Sequence, residues 1–410
     1  MLIALLALLL APVPPAPAVR PHVVYALVLT RHGVRAPIET NAELNRYARQ
    51  PWPDFGVSPA DLTAHGRALM VLYGAYYRAF FAKLGLTDAS GCAAGAHIWF
   101  WADTDERTVE TGKALAQGMY PGCTVEVGVA AKKPDPLIRP VESGLGKVDA
   151  AQAAASVRSL IPGSLDDYAS RLQPAMKQLR QVLDVPAAPW ESQPTALRAG
   201  KTGMVALDGP IHTGGILSEA LELEYADGMS GAKLGWGRLD PRALHAILPL
   251  HVEYVRLMLA APYEARARGS NLLAHIQHSL EQAARQQPVA GALGHPDDKI
   301  AFVVGHDTNI TSVAVPLGLD WKLPGYAEND TPPGSALIFE LWREATGIYT
   351  VHIAYTSQSL DQMHDGTQLS LTTPPLNVPV TIPKCNPCTL EKFRQMVAAA
   401  IDPQFVESGH

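Results

Sequence analysis

Arg31-His32-Gly33-Val34-Arg35-Ala36-Pro37 places two arginines around one histidine, at spacings of one and three. A guanidinium is a planar fork of donors that matches phosphate oxygens. A histidine in the same loop is placed to attack phosphorus. Two guanidiniums crowded against an imidazole repel unless an anion is present, which argues against an ordinary strand-end turn. Gly33 lets the backbone turn sharply beside the histidine. A second stretch is Gly305-His306-Asp307-Thr308-Asn309, and a third is Asp103-Thr104-Asp105-Glu106-Arg107-Thr108. Taken singly, Asp307 would be a helix cap and the third stretch a solvated helix start.

Together the three stretches supply three arginines, two histidines and, beside the acids of the third, the aspartate Asp307. The chemistry they suit is phosphoryl transfer to a histidine. His32 attacks, Asp307 protonates the leaving oxygen, and Arg31, Arg35, Arg107 and His306 stabilise the equatorial oxygens. Water then cleaves the phosphohistidine with Asp307 as base. The partner is a small-molecule phosphate monoester. No metal or other cofactor is required, because the arginines supply the positive charge.

Each stretch follows an apolar run. Val23–Thr30 and Ile300–Gly305 read as buried parallel strands, and His97–Ala102 as another buried strand. Asp61–Leu84 reads as a long helix whose aromatic stripe (Tyr73, Tyr76, Tyr77, Phe80, Phe81) is core packing. Glu106–Met119 reads as a helix opened by Asp103, Thr104 and Asp105. Ala336–Trp342 and Ile348–Tyr355 alternate around Thr346-Gly347 as a hairpin, and Thr389–Ile401 is a last amphipathic helix. From about residue 150 to 268 the pattern is mostly helical. The expected fold class is therefore α/β, a mostly parallel sheet flanked by helices with an inserted all-α domain. The catalytic domain is discontinuous, 19–149 and 269–410, and the insertion is 150–268.

The 410 residues include 33 Lys and Arg and 39 Asp and Glu, a net charge of −6, with 47% hydrophobic residues. That balance excludes disorder as the main state and a nucleic-acid binder relying on bulk positive charge. Leu2–Leu10 is apolar and leads to Ala16-Pro17-Ala18, a cleavage-site pattern, although no Lys or Arg precedes it. Residues 1–18 read as a secretory signal, too short for a membrane span, so no stable membrane anchor remains after its removal. The expected location is periplasmic or secreted. Disulfides persist there. If Cys92 and Cys123 pair, they close a loop of about 30 residues. The preferred reading of Cys385 and Cys388 is a small local disulfide.

Some signals are set aside. Gly200-Lys201-Thr202 is the tail of a P-loop, but Thr195 stands where its first glycine belongs. His275 and His278 lack a third metal ligand. Asn309-Ile310-Thr311 is a glycosylation sequon too close to the candidate site to be used. A phosphomutase and a non-catalytic phosphate binder are the alternative classes. The first is disfavoured by the leader, the second by the presence of both His32 and Asp307.

The chain resembles the histidine acid phosphatases, within them the bacterial phytase and glucose-1-phosphatase branch. The resemblance rests on RHGVRAP (Arg31–Pro37), DERT (Asp105–Thr108) and GHDTN (Gly305–Asn309), supported by GWGRL (Gly235–Leu239), LPG (Leu323–Gly325) and TPPG (Thr331–Gly334). It implies a metal-free acid phosphatase of the phosphoglycerate mutase-like fold, His32 as nucleophile and Asp307 as proton donor. Pairing of Cys92 with Cys123 and of Cys385 with Cys388 is similar to bridges of that branch. Asp103 matches an active-site acid, and Glu219 is similar to a substrate-contacting glutamate or else lies on a solvated helix face. Phytases of the branch usually carry a lysine two residues beyond RHGVRAP. Here Ile38 and Glu39 stand after the motif, and a carboxylate at the mouth disfavours a highly phosphorylated inositol. A broad or sugar-phosphate specificity comes first, phytase second.

Overall fold

The computed structural model describes residues 20–407 apart from 89, 93–96, 187 and 188. The leader read over 1–18 lies outside the described residues. Among those described, the strands are β1 His22–Arg31, β2 Ile98–Ala102, β3 Gly128–Val129, β4 Ala196–Ala199, β5 Val205–Asp208, β6 Ile300–Gly305, β7 Ala336–Arg343, β8 Tyr349–Ser357 and β9 Leu376–Val380. The α-helices are α1 Asn41–Leu44, α2 Ala64–Lys83, α3 Glu106–Met119, α4 Ala150–Ser159, α5 Leu165–Arg171, α6 Gln173–Leu183, α7 Pro210–Ala226, α8 Pro241–Leu259, α9 Pro262–Arg285, α10 Asp307–Leu317, α11 Leu360–His364 and α12 Leu390–Ala400.

Seven strands form one sheet in the order β3-β2-β6-β1-β7-β8-β9. β3, β2, β6 and β1 are parallel, and β7, β8 and β9 extend the sheet antiparallel. Successive residues of β1 feed opposite cores. Leu27 and Leu29 join Ala301 and Val303 on one face, and Ala26 and Val28 join Ile300 and Phe302 on the other. Burial on both faces is why these strands read as unbroken apolar runs. The α2 stripe fills the second core. Tyr77 and Phe81 are fully buried and meet Phe302 edge-on. Each such ring contributes about 1.5–3 kcal/mol by leaving water.

Between β3 and β6 the chain leaves the sheet. The insertion is not wholly helical, contrary to the all-α reading. β4 and β5 pair antiparallel, and Gly200-Lys201-Thr202-Gly203 is their turn, with Gly203 at φ +85°. Two four-residue strands carry too little alternation to stand out from a helical block, and the P-loop-like triplet is a hairpin tip. Residue 268, where the sequence reading ends the insertion, lies inside the unbroken α9. That helix packs on β1, α10 and α12. A Cβ on Gly269 would stand 2.0 Å from Ser312 O, so α9 and α10 touch backbone to backbone and fix the helix that carries Asp307.

Both cysteine pairs are bonded, Cys92 to Cys123 and Cys385 to Cys388. The first spans a sequence separation of 31 and the second a separation of 3. In the chain-entropy account the longer loop contributes about 3–4 kcal/mol. The variant Cys92→Ser/Cys123→Ser is expected to lose that much in non-reducing urea titrations, and Cys385→Ser/Cys388→Ser clearly less. Equal losses would mean that native packing, not loop length, sets the effect.

Candidate active site

β6 lies between β1 and β2, so the three motifs leave the sheet side by side. Arg31 is level with Gly305, and Ala102 with Val304. Because β7 runs against β1 and begins beside Thr30, Thr331–Gly334 reaches the same edge. Ligands of open α/β sheets bind at such carboxyl ends. The His32 backbone is clamped there: its N–H donates to Gly305 O (3.0 Å) and its carbonyl accepts from Gly334 N (2.8 Å).

His32 Nδ1 lies 2.8 Å from Gly33 O. A carbonyl only accepts, so Nδ1 carries the hydrogen and Nε2 keeps its lone pair. Burial, then Arg107 and Arg31, hold the imidazole well below its ordinary pKa. The ring therefore stays neutral in mildly acid solution. Gly33 does not adopt the left-handed conformation that the sharp-turn reading implied. It is needed because α2 passes close: a Cβ there would stand 2.8 Å from Met70 Cγ and 3.2 Å from Gly66 O.

Glu219 reaches in from α7. Its Oε1 accepts from Arg31 Nη2 (3.0 Å) and Arg35 Nη2 (2.7 Å). The carboxylate bridges two guanidiniums that are only 2% and 3% exposed, which relieves their mutual repulsion. Burial alone would raise Glu219, but Arg35, His251 and Arg31 hold it well below the usual carboxylate range. Arg31 Nη1 also donates to Thr331 O (2.6 Å).

The opposite wall is built around His306. Its Nε2 donates to Asp103 Oδ2 (2.7 Å), which turns Nδ1 toward Arg107 Nη2 (3.4 Å). Arg107 Nη2 pairs with Asp105 Oδ2 at 2.8 Å. Arg139, which no sequence motif marks, donates from Nε to Asp103 Oδ2 (2.6 Å), pairs with Asp105, and brings Nη2 within 2.9 Å of His306 Nε2. Burial opposes the charge on Asp103, yet His306 and Arg139 hold its carboxyl well below the usual range. Burial lowers His306 although Asp103 pulls the other way. Ligand atoms of Asp103, Asp105 and His306 lie within 4.8 Å of one another, a spacing a metal would accept. Arg107 and Arg139 already neutralise both carboxylates. The same pairing explains why Asp105, at the start of α3, makes no side-chain cap bond.

Asp307 is the first residue of α10, and His306 takes the capping position. Asp307 Oδ1 accepts from the Thr308 N–H (2.6 Å), and Oδ2 lies 3.5 Å from Arg31 Nη2. Burial is the largest influence on Asp307 and raises it, but Arg31, His306 and the Thr308 N–H together hold the carboxyl below its ordinary value. His32, Arg35, Arg107, His306 and Asp307 line one cleft of about 230 Å³, with Arg139, Glu142 and Arg268 in its wall. Ile38 also lines it and is 57% exposed. Glu39 lies in an adjoining groove beside Asn41 and Phe55, where burial raises its pKa. Asn309 of the set-aside sequon is buried and donates to Ile138 O (2.8 Å).

The structure thus gathers Arg31, His32, Arg35, Asp103, Arg107, Glu219, His306 and Asp307 around one point and leaves Glu39 beside it. Sequence reasoning missed Arg139 and the ion-pairing of Asp105. The only trace of Arg139 is a lone charge in the stretch Leu137-Ile138-Arg139-Pro140.

A neutral imidazole with a free Nε2, ringed by guanidiniums at a sheet's carboxyl edge, is the site of an enzyme acting on phosphate esters. Residues 22–356 match the Histidine phosphatase superfamily (branch 2), and the chain belongs to that family. It is 32% identical to phytase AppA of Escherichia coli (strain K12), over 92% of this chain and 91% of that protein. It is 28% identical to a glucose-1-phosphatase of Salmonella typhimurium, over 91% of each. The solved structure of Hafnia alvei phytase in complex with tartrate has a TM-score of 0.88 and 32% identity, covering 96% of this chain and all of that one. The chain is a phosphoric monoester hydrolase.

Proposed function

We propose that this protein is an exported acid phosphatase working through a phosphohistidine on His32. The observation that carries this reading is the His32 Nδ1 bond to Gly33 O, which leaves Nε2 unprotonated in a ring of arginines. Nε2 attacks phosphorus as the ester P–O bond breaks. Asp307 passes a proton received from the substrate monoanion to the leaving oxygen, and Arg31, Arg35 and Arg107 balance charge on the phosphoryl oxygens. Water then attacks phosphorus, the N–P bond breaks, and Asp307 takes the proton back. His306 and Asp103 orient the far wall, and Glu219 spaces Arg31 and Arg35. The apolar leader and the two disulfides support export to a periplasmic or extracellular location.

Small monoesters such as sugar phosphates are the preferred substrates in this reading. The cleft mouth offers Ile38, with the Glu39 carboxyl close behind, where a polyphosphate would need cations. A phytase is the second reading. It is favoured by 32% identity to a phytase against 25% and 28% to two glucose-1-phosphatases, and by Arg139 and Arg268 in the cleft wall. Phosphate release from p-nitrophenyl phosphate, glucose-1-phosphate and phytate in mild acid ranks the two. Glu39→Lys is expected to raise kcat/KM on phytate roughly fivefold to tenfold and leave p-nitrophenyl phosphate within about twofold, since reversing a charge several ångströms from a polyanion is worth about 1 kcal/mol. Wild-type preference for phytate over glucose-1-phosphate would put the second reading first.

A further inference from the structure

The loop that follows Pro37 forms part of the cleft mouth, yet the insertion holds it. Residues 38–59 leave and rejoin the α/β body at one point, where Ala60 N–H donates to Pro37 O (2.9 Å) and Ala36 N–H to Asp61 O (3.0 Å). Ile38, at the start of the loop, lines the cleft, and Glu39 lines the adjoining groove. Trp52 is the hub of the loop. Its indole N–H donates to Leu44 O (2.9 Å) and its backbone N–H to Asn45 Oδ1 (2.7 Å), which ties it to the end of α1. At the start of α1, Asn41 donates to Trp52 O and Pro53 O (3.4 and 3.3 Å). Glu39 stands two residues before that anchor.

Among the described residues, the hydrogen bonds and ion pairs that the loop makes beyond its base all go to the insertion. Arg49 N–H donates to Leu183 O (3.1 Å), the Arg49 side chain pairs with Asp184 (3.4 Å), and the Trp236 indole N–H donates to Pro51 O (2.8 Å). The Trp236 ring also meets the Trp52 ring edge-on at 5.0 Å. Trp236 belongs to GWGRL, a motif that the chemistry at His32 leaves unexplained. Gly235, Trp236 and Gly237 stand at φ +50°, +55° and +78°, three successive left-handed residues. A bulky side chain seldom adopts that conformation, and it persists only where its surroundings fix it. Here they do. Gly235 N–H donates to Oε2 of the buried Glu224 (2.8 Å), and Arg238 lies over the indole at 5.3 Å while its Nε donates to Val182 O (2.7 Å). Val182 and Leu183 end α6, so Arg238 and Arg49 take carbonyls that the helix itself leaves bare. The strained turn presents one indole to one loop.

We propose that Trp236 is a positioning residue for substrate choice: it latches the mouth loop to the insertion and so fixes where Ile38 and Glu39 stand. The role rests on the proposed preference for small esters, which those two residues enforce. Trypsin measures the latch directly, because Arg46 and Arg49 are exposed on the loop and nicking there tracks its open population. The full mature protein should resist trypsin at both bonds. Trp236→Ala should be cut there at least about tenfold faster, having lost one hydrogen bond and one aromatic contact. Trp236→Phe keeps a ring without the N–H and should fall between, and it carries the test if far-UV dichroism shows Trp236→Ala unfolded. On substrates, Trp236→Ala should raise the kcat/KM ratio of phytate to glucose-1-phosphate at least about threefold, chiefly through KM. kcat on p-nitrophenyl phosphate and inhibition by inorganic phosphate should stay within about twofold, since the arginines around His32 are untouched. Unchanged nicking would overturn the proposal, as would a kcat on p-nitrophenyl phosphate that falls by as much as the ratio moves. Faster nicking with an unmoved ratio would also overturn it. If Glu39→Lys then leaves phytate turnover unmoved as well, the fault lies in the role given to Glu39 and not in the latch.

Discussion

His32→Ala is expected to lower phosphate release from p-nitrophenyl phosphate by at least about two to four decades. Among the described residues, the substitution removes the group in the cleft whose unprotonated nitrogen is placed to attack phosphorus. His306 cannot substitute, because its Nε2 is bound to Asp103 and its Nδ1 faces Arg107. The arginines remain, held by Glu219, Asp105 and Thr331 O, so the variant should still bind inorganic phosphate. Retained binding with lost turnover separates a missing nucleophile from a collapsed site. An alkaline quench of wild type with labelled substrate should trap phosphate on protein, and the same quench of the variant should trap none. If His32→Ala turns over as wild type does, phosphoryl transfer to His32 is wrong.

The positions of His32, Arg107 and Asp307 were legible in sequence because each follows closely on the end of an apolar run. β1 and β6 are buried on both faces, and β2 on one with Trp99 and Trp101 half-buried on the other, so their runs are unbroken and their ends are sharp. The order β2-β6-β1, which brings the ends together, is a long-range pairing that no local pattern encodes. Glu219 shows the limit. Its helix, α7, mixes three glutamates with apolar residues and is buried on nearly every side, so no face of it reads as aimed at the sheet edge. Only the folded insertion places its carboxylate between Arg31 and Arg35. Arg139 lies in an irregular segment, and its partners Asp103 and Asp105 precede it by 36 and 34 residues. Asp105 misled for a related reason: aspartate before a helix reads as a cap, and here two guanidiniums outbid the backbone amides. Gly33 likewise answers to a neighbouring helix and not to its own dihedral angles.

Asp307→Asn tests where the proton comes from. Arg31, with His306 and the Thr308 N–H, holds Asp307 below the ordinary carboxylate value, so the side chain is ionised in mild acid and has no proton of its own to give. The substrate supplies one. A phosphate monoester has a second pKa of about 6 and arrives below that pH largely as the monoanion. Among Arg31, Arg35 and Arg107 the dianion is favoured, and phosphate now shares the Arg31 charge that kept Asp307 ionised. The proton therefore passes to Asp307 and from there to the leaving oxygen. Activity should fall as pH rises through about 6, where the substrate loses that proton. It should hold below that value, because His32 is protonated only well under its ordinary pKa. Asp307→Asn is expected to lose about two to four decades on glucose-1-phosphate, whose leaving group needs a proton. p-Nitrophenolate leaves without one, so the variant should release a burst of one equivalent per site. It should then stall, because water attack on the phosphohistidine has lost its base. Equal losses on both esters with no burst would move the proton to another group, and His306, next to Asp307 in the chain and 5.5 Å from His32 between ring centres, is the neighbour to test next.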